Sequence, residues 1–179
     1  MTSKTFFHKA LFLDRDGVIN IDHGYVSKIE DFEFNDGIFE LLHLFIEKGY
    51  KLFIVTNQSG IGRGYYSQND FETLTTWMLE EFKKQNIHIE SVHHCNHAPE
   101  ALCACRKPAT GMVDEILSLN NIELENSWLI GDKQSDIDLA KNSGIGSTIA
   151  IGQRDIKNAT HHFSTILEAK EFFEQNSLL

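Results

Sequence analysis

Five short apolar runs recur along the chain, at Ala10–Leu13, Lys51–Val55, Ser91–His94, Ser127–Ile130 and Ser147–Ile151, and each reads as a strand. Between them, apolar residues spaced three and four apart predict helices over Ile38–Lys48, Gln68–Gln85, Met112–Asn120 and Gln134–Asn142. A last helix over Thr165–Gln175 is expected to close one edge. Leu41, Leu42, Phe45 and Ile46 form a stripe on the first helix, and Phe71, Leu74, Met78 and Phe82 form one on the second. Stripes of this kind are core seams. Strand alternating with helix predicts an α/β fold, a parallel sheet covered by helices on both faces. No repeat, low-complexity tract or Pro-rich linker interrupts the pattern, so a single domain over residues 1–179 is expected.

Composition narrows the classes. At 179 residues and 41% apolar content, with 13 Phe, the chain can bury a core without disulfides. No stretch approaches the ~20 apolar residues that span a bilayer. Met1-Thr2-Ser3-Lys4-Thr5 lacks the apolar centre of a signal peptide, so a cytoplasmic location is expected, with a monomer as the working form. The net charge of −10 argues against nucleic acid and against anionic membranes as partners.

The chemistry concentrates where strands end. Leu11-Phe12-Leu13-Asp14-Arg15-Asp16-Gly17 runs from an apolar strand straight into two carboxylates and a glycine. Residues two apart on a strand face one side, so Asp14 and Asp16 can converge beyond its carboxyl end, where open parallel sheets bind ligands. An acidic turn without further purpose is the plain alternative. Further polar segments close the second strand (Thr56-Asn57-Gln58-Ser59) and the fourth (Gly131-Asp132-Lys133, with Asp136 following), and Arg106-Lys107-Pro108 follows the third. All three cysteines fall within eleven residues, Cys95-x-His97 followed by Cys103-x-Cys105. Three sulfurs and one imidazole form a closed tetrahedral Zn²⁺ set with no open position, which makes the zinc structural. Buried or redox-active thiols are the alternative, but three cysteines leave one unpaired in any disulfide scheme.

Together these segments resemble, in order, the four motifs of the haloacid dehalogenase (HAD) phosphatase superfamily, over residues 9–151. Asp14-Arg15-Asp16-Gly17, Asp22-His23-Gly24-Tyr25, the Thr56–Gly64 segment and the cysteine–histidine loop look like its branch of heptose bisphosphate and histidinol phosphatases. The resemblance implies a HAD-like, Rossmannoid three-layer fold with a zinc-binding loop after the third strand. The insertions, residues 18–36 and 96–105, are too short for a cap domain, so an open site is expected.

The resemblance also implies roles. Asp14 becomes the nucleophile that forms an aspartyl-phosphate, and Asp16 the acid that protonates the leaving alkoxide and then activates water. Mg²⁺ is held by Asp14, the backbone carbonyl of Asp16 and Asp132, an all-oxygen set that suits it. Thr56 and Lys107 neutralise the transferring oxygens. Substrate contacts are implied for Asp22, His23, Gly24 and Tyr25, for Thr56, Asn57, Gln58 and Ser59, and for Arg106, Lys107 and Lys133. Positive charge must be local in so acidic a chain, with Arg63, Arg106, Lys107, Lys133 and the metal as candidates. Asp136 is expected to orient Lys107 or Lys133, and the His161-His162 pair to lie on the surface.

The implied substrate is a small phosphorylated sugar, a heptose 1,7-bisphosphate that loses its C7 phosphate. Only five residues separate His97 from Cys103, an interval closer to the histidinol phosphatases, which keeps that substrate as the alternative. A phospho-acceptor signalling module shares an acidic pair, a Thr and a Lys, but has no acid two residues beyond the acceptor and no zinc loop. A zinc-based nucleic-acid module is opposed by the net charge.

Overall fold

A computed structural model describes residues 6–179. Its six strands are β1 (Ala10–Leu13), β2 (Lys51–Asn57), β3 (Ile89–Cys95), β4 (Trp128–Gly131), β5 (Ser147–Ile151) and β6 (His161–Phe163). They form one sheet in the order β3-β2-β1-β4-β5-β6, with every neighbouring pair parallel. The helices are α1 (Ile38–Glu47), α2 (Ser59–Gly62), α3 (Gln68–Lys84), α4 (Gly111–Leu119), α5 (Gln134–Ser143) and α6 (Ile166–Gln175). The HAD-like α/β architecture expected from the sequence is present.

Alternation along the strands sorts the core into two layers. Leu11 and Leu13 of β1, with Leu52, Ile54 and Ile130, pack against Leu41, Leu42 and Phe45 of α1, Leu74 and Met78 of α3 and Phe173 of α6. Ala10 and Phe12 point the other way, with Phe53, Val55 and Leu129, onto Met112, Val113 and Ile116 of α4 and Leu139 and Ala140 of α5. Strand order turns back at β1, between β2 and β4, which opens a crevice at the carboxyl ends there.

One element differs from the sequence pattern. β6 is a sixth strand where a surface histidine pair was expected. His162 is exposed, but the His161 ring stacks on Trp128 at 5.8 Å, so the strand is held by aromatic packing rather than by an apolar run. Residues 18–36, as their length leads one to expect, carry no separate core. Phe32 and Phe34 instead pack against Trp77 of α3 and join the main core.

Candidate active site

β1 delivers Asp14 and β4 delivers Asp132 to the crevice. Gly17, at φ 89°, turns the chain away in a left-handed conformation, and a Cβ there would lie 2.5 Å from the Asp132 carboxylate. Gly131 likewise leaves room for Asp136, which α5 presents from its first turn. Carboxylate oxygens of Asp14, Asp132 and Asp136 lie within 4.8 Å of one another, and all three residues are buried.

Lys107 is the counter-charge. Its Nζ is 2.9 Å from Asp14 Oδ1 and 2.6 Å from Asp136 Oδ1, and it donates to the Val55 carbonyl at 2.9 Å. Burial disfavours the ammonium, but the Asp136 and Asp14 carboxylates outweigh it and hold Lys107 above its ordinary pKa. Burial also acts to raise the Asp14 pKa, yet Lys107 and Lys133 more than offset it and keep that carboxyl below the usual value. Asp136 moves the other way, pushed up to about 6 by burial, with Lys107 opposing and Asp14 adding to the rise. Asp132 is raised by burial and by the neighbouring Asp14.

Asp136 touches both lysines named for it, since its Oδ2 accepts the Lys133 backbone N–H at 3.0 Å. Lys133 Nζ spans from Asp132 Oδ1 at 3.2 Å to Asp22 Oδ2 at 3.4 Å, tying the 22–25 segment to the cluster. Asn57 spends its amide on one residue, accepting the Lys107 N–H at 3.0 Å and donating to the Lys107 carbonyl at 3.3 Å.

Asp16 sits beside this cluster in a ring of donors. Arg15 Nη2 donates to both its oxygens at 2.9 Å, Asn20 Nδ2 donates to Oδ1 at 3.0 Å, and Gln58 Nε2 donates to Oδ2 at 3.0 Å. Arg15 is only 1% exposed and also donates to the Val26 carbonyl at 2.6 Å. Its burial follows from the fold and was not visible in the motif that contains it.

A cavity of about 370 Å³ opens over these groups, lined by Asp14, Asp16, Asp22, Gly24, Tyr25, Asn57, Gln58, Ser59, Arg106, Lys107 and Lys133, among others. Thr56 and Asp132 lie in its buried surroundings. His23 faces a neighbouring hollow near Glu33, 3.5 Å away, and Arg63 pairs loosely with Glu100 at 3.8 Å. Arg154, not anticipated from the sequence, reaches in from the loop after β5 and donates to the Asp132 carbonyl at 3.0 Å and to its Oδ2.

Cys95, His97, Cys103 and Cys105 converge next to this cavity. Sulfur–sulfur separations run from 2.9 to 3.4 Å, and His97 Nδ1 lies 3.2 Å from Cys105 Sγ and 3.6 Å from Cys95 Sγ. These edges exceed any S–S bond and approach the tetrahedron that about 2.3 Å Zn–S bonds would span. α2 leans on the same loop, where a Cβ on Gly62 would meet the Ala98 nitrogen at 2.6 Å.

Fold and site together define a HAD-like hydrolase. A HAD-hydrolase-like family model matches residues 104–160. The chain is 47% identical to D-glycero-alpha-D-manno-heptose-1,7-bisphosphate 7-phosphatase of Campylobacter jejuni, over 95% of this chain and 98% of that one. It is 46% identical to D-glycero-beta-D-manno-heptose-1,7-bisphosphate 7-phosphatase of Helicobacter pylori, over 96% and 98%. The crystal structure of D,D-heptose 1,7-bisphosphate phosphatase from B. bronchiseptica, complexed with magnesium and phosphate, superposes with a TM-score of 0.81 at 22% identity, covering 93% of this chain and 98% of that one. This chain belongs to the heptose 1,7-bisphosphate 7-phosphatase family and is a phosphoric monoester hydrolase.

Proposed function

We propose that this enzyme removes the C7 phosphate of D-glycero-D-manno-heptose 1,7-bisphosphate and leaves heptose 1-phosphate. The observation that carries the reading is Arg106. It lines the same cavity as Asp14 and Lys107, and its Nη1 is buried with no hydrogen-bond partner among the described residues. An unpaired buried guanidinium nitrogen is costly alone and well matched to an anion. A bisphosphate supplies that anion in addition to the phosphate over Asp14, whereas histidinol phosphate does not. The heptose names of relatives covering nearly the whole chain support the same choice over the one prompted by the short cysteine interval.

In this reading Asp14 attacks phosphorus, the bond to the C7 oxygen breaks, and Asp16 gives its proton to the departing alkoxide. Water then attacks the aspartyl-phosphate, Asp16 takes the proton, and phosphate leaves a regenerated Asp14. Lys107 and the Thr56 hydroxyl stabilise the transferring oxygens. Asp22, Gly24, Tyr25, Ser59 and Lys133 frame the sugar, while His23 faces the adjoining hollow. Asn57 serves by fixing Lys107. The oxygen donors at the strand ends fit Mg²⁺, which Asp14, the Asp16 carbonyl and Asp132 would hold, and a bound Mg²⁺ screens the repulsion between carboxylate and phosphate. The Cys95–His97–Cys103–Cys105 set fits a structural Zn²⁺ that fixes the loop carrying Arg106 and Lys107. The chain is read as one domain acting as a monomer in the cytoplasm, whose reducing conditions suit three free thiols. A panel of heptose 1,7-bisphosphate, fructose 1,6-bisphosphate and histidinol phosphate tests the proposal. The heptose ester should show the highest kcat/KM, and a higher value for histidinol phosphate refutes it.

A further inference from the structure

We infer that Gln58 and Tyr66 are positioning residues that set Asp16 for acid–base work, a role that rests on the phosphatase reading above. The cavity-lining position of Gln58 makes it look like a substrate contact, but its carboxamide is already committed. Oε1 accepts the Tyr66 hydroxyl at 2.5 Å, and Nε2 donates to Asp16 Oδ2 at 3.0 Å and to Thr56 Oγ1 at 2.8 Å. An amide nitrogen has two hydrogens, and both are used.

Only one orientation of that amide works. Asp16 presents a carboxylate oxygen, which accepts, so the NH₂ group must face it and the carbonyl must face Tyr66. Tyr66 enforces this as a donor. It is largely buried, and burial pushes its phenol up to about 12, so the hydroxyl keeps its proton. Gly60 makes the placement possible, because any Cβ there would overlap the Tyr66 ring.

One buried amide therefore links the ends of two strands. It adds a donor to Asp16 Oδ2 beside those of Arg15 and ties the carboxylate to Thr56. Because Thr56 Oγ1 accepts from Gln58, its own hydroxyl proton is left to point at a phosphoryl oxygen. The hydrogen bonds run in one direction, from Tyr66 through Gln58 to the two reacting-side groups.

The test compares Tyr66→Phe, which removes one oxygen and keeps the ring, with Gln58→Met, which keeps length and removes both polar atoms. Each is assayed on an alkyl ester (heptose 1,7-bisphosphate or histidinol phosphate, whichever the wild type prefers) and on p-nitrophenyl phosphate. Only the alkyl leaving group needs a proton from Asp16. Thermal melts confirm that both variants are folded. Tyr66→Phe should lower kcat on the alkyl ester about tenfold with KM within about twofold, and the burst of p-nitrophenolate should fall much less. Gln58→Met should widen the gap. Equal losses on the two esters, no loss on either, or a rise in KM alone would each overturn the inference. Preference for histidinol phosphate overturns the heptose reading and leaves this comparison intact. A wild type that hydrolyses neither ester removes the phosphatase reading and this inference together.

Discussion

Two groups of side chains with the chemistry to hold a metal ion lie at the same end of the sheet and are built in opposite ways. Asp14 lies more than a hundred residues before Asp132 and Asp136, and all three are buried and already carry protein counter-charges in Lys107, Lys133 and Arg154. Cys95, His97, Cys103 and Cys105 come from eleven consecutive residues, are mostly part-exposed, and meet chiefly one another. The sheet and the ion pairs to Lys107, Lys133 and Arg154 hold the first group in place. The loop of the second has one short turn, Pro99–Ala101, and an exposed Leu102 at φ 48°, so its ligands must supply its rigidity. The contrast predicts an exchangeable ion in one place and a tightly kept ion in the other.

The sharpest way to break that contrast is Asp14→Asn. An amide cannot form the acyl phosphate, so steady-state turnover should fall by about three or more orders of magnitude while the melt stays cooperative. Near-normal turnover would remove Asp14 as nucleophile. EDTA treatment should come next in size, abolishing activity that added Mg²⁺ restores, while elemental analysis still finds about one zinc per chain. Loss of zinc with the first EDTA wash would erase the distinction between the two groups. Arg106→Ala should lower kcat/KM on the bisphosphate by about one to two orders of magnitude and matter far less for a small monophosphate. Cys103→Ser should have the smallest effect on turnover. Its expected signature is a lower Tm, a zinc content below one, and a KM raised about three- to tenfold with kcat nearly kept. A kcat collapse with unchanged KM would place the loop in the chemistry rather than behind it.

The same contrast explains what could be read in advance. The Cys–His set was legible because its ligands are close in sequence and their spacing is itself the signal. Asp14 and Asp132 were legible because each stands at the end of an apolar strand within a motif of the ordered set, and Lys107, twelve residues beyond β3, because it belongs to the third motif of that set. Long-range partners left no such mark. Arg154 meets Asp132 across 22 residues from a loop without periodicity, and the Tyr66 hydroxyl finds Gln58 only once α2 has turned the chain. β6 escaped the pattern because two of its three residues are histidines, and its stability comes from Trp128, Phe172 and Phe173 packed around His161. Asn57 and Gln58 show the limit from the other side. Their place in the motif marked them as important, but only the fold shows that their amides face protein groups.

Following a single turnover of heptose 1,7-bisphosphate by phosphorus NMR tests the central claim most directly. The C7 phosphomonoester signal should convert to inorganic phosphate while the C1 signal persists unchanged in area. Loss of the C1 signal first, or release of both phosphates together, would contradict the account.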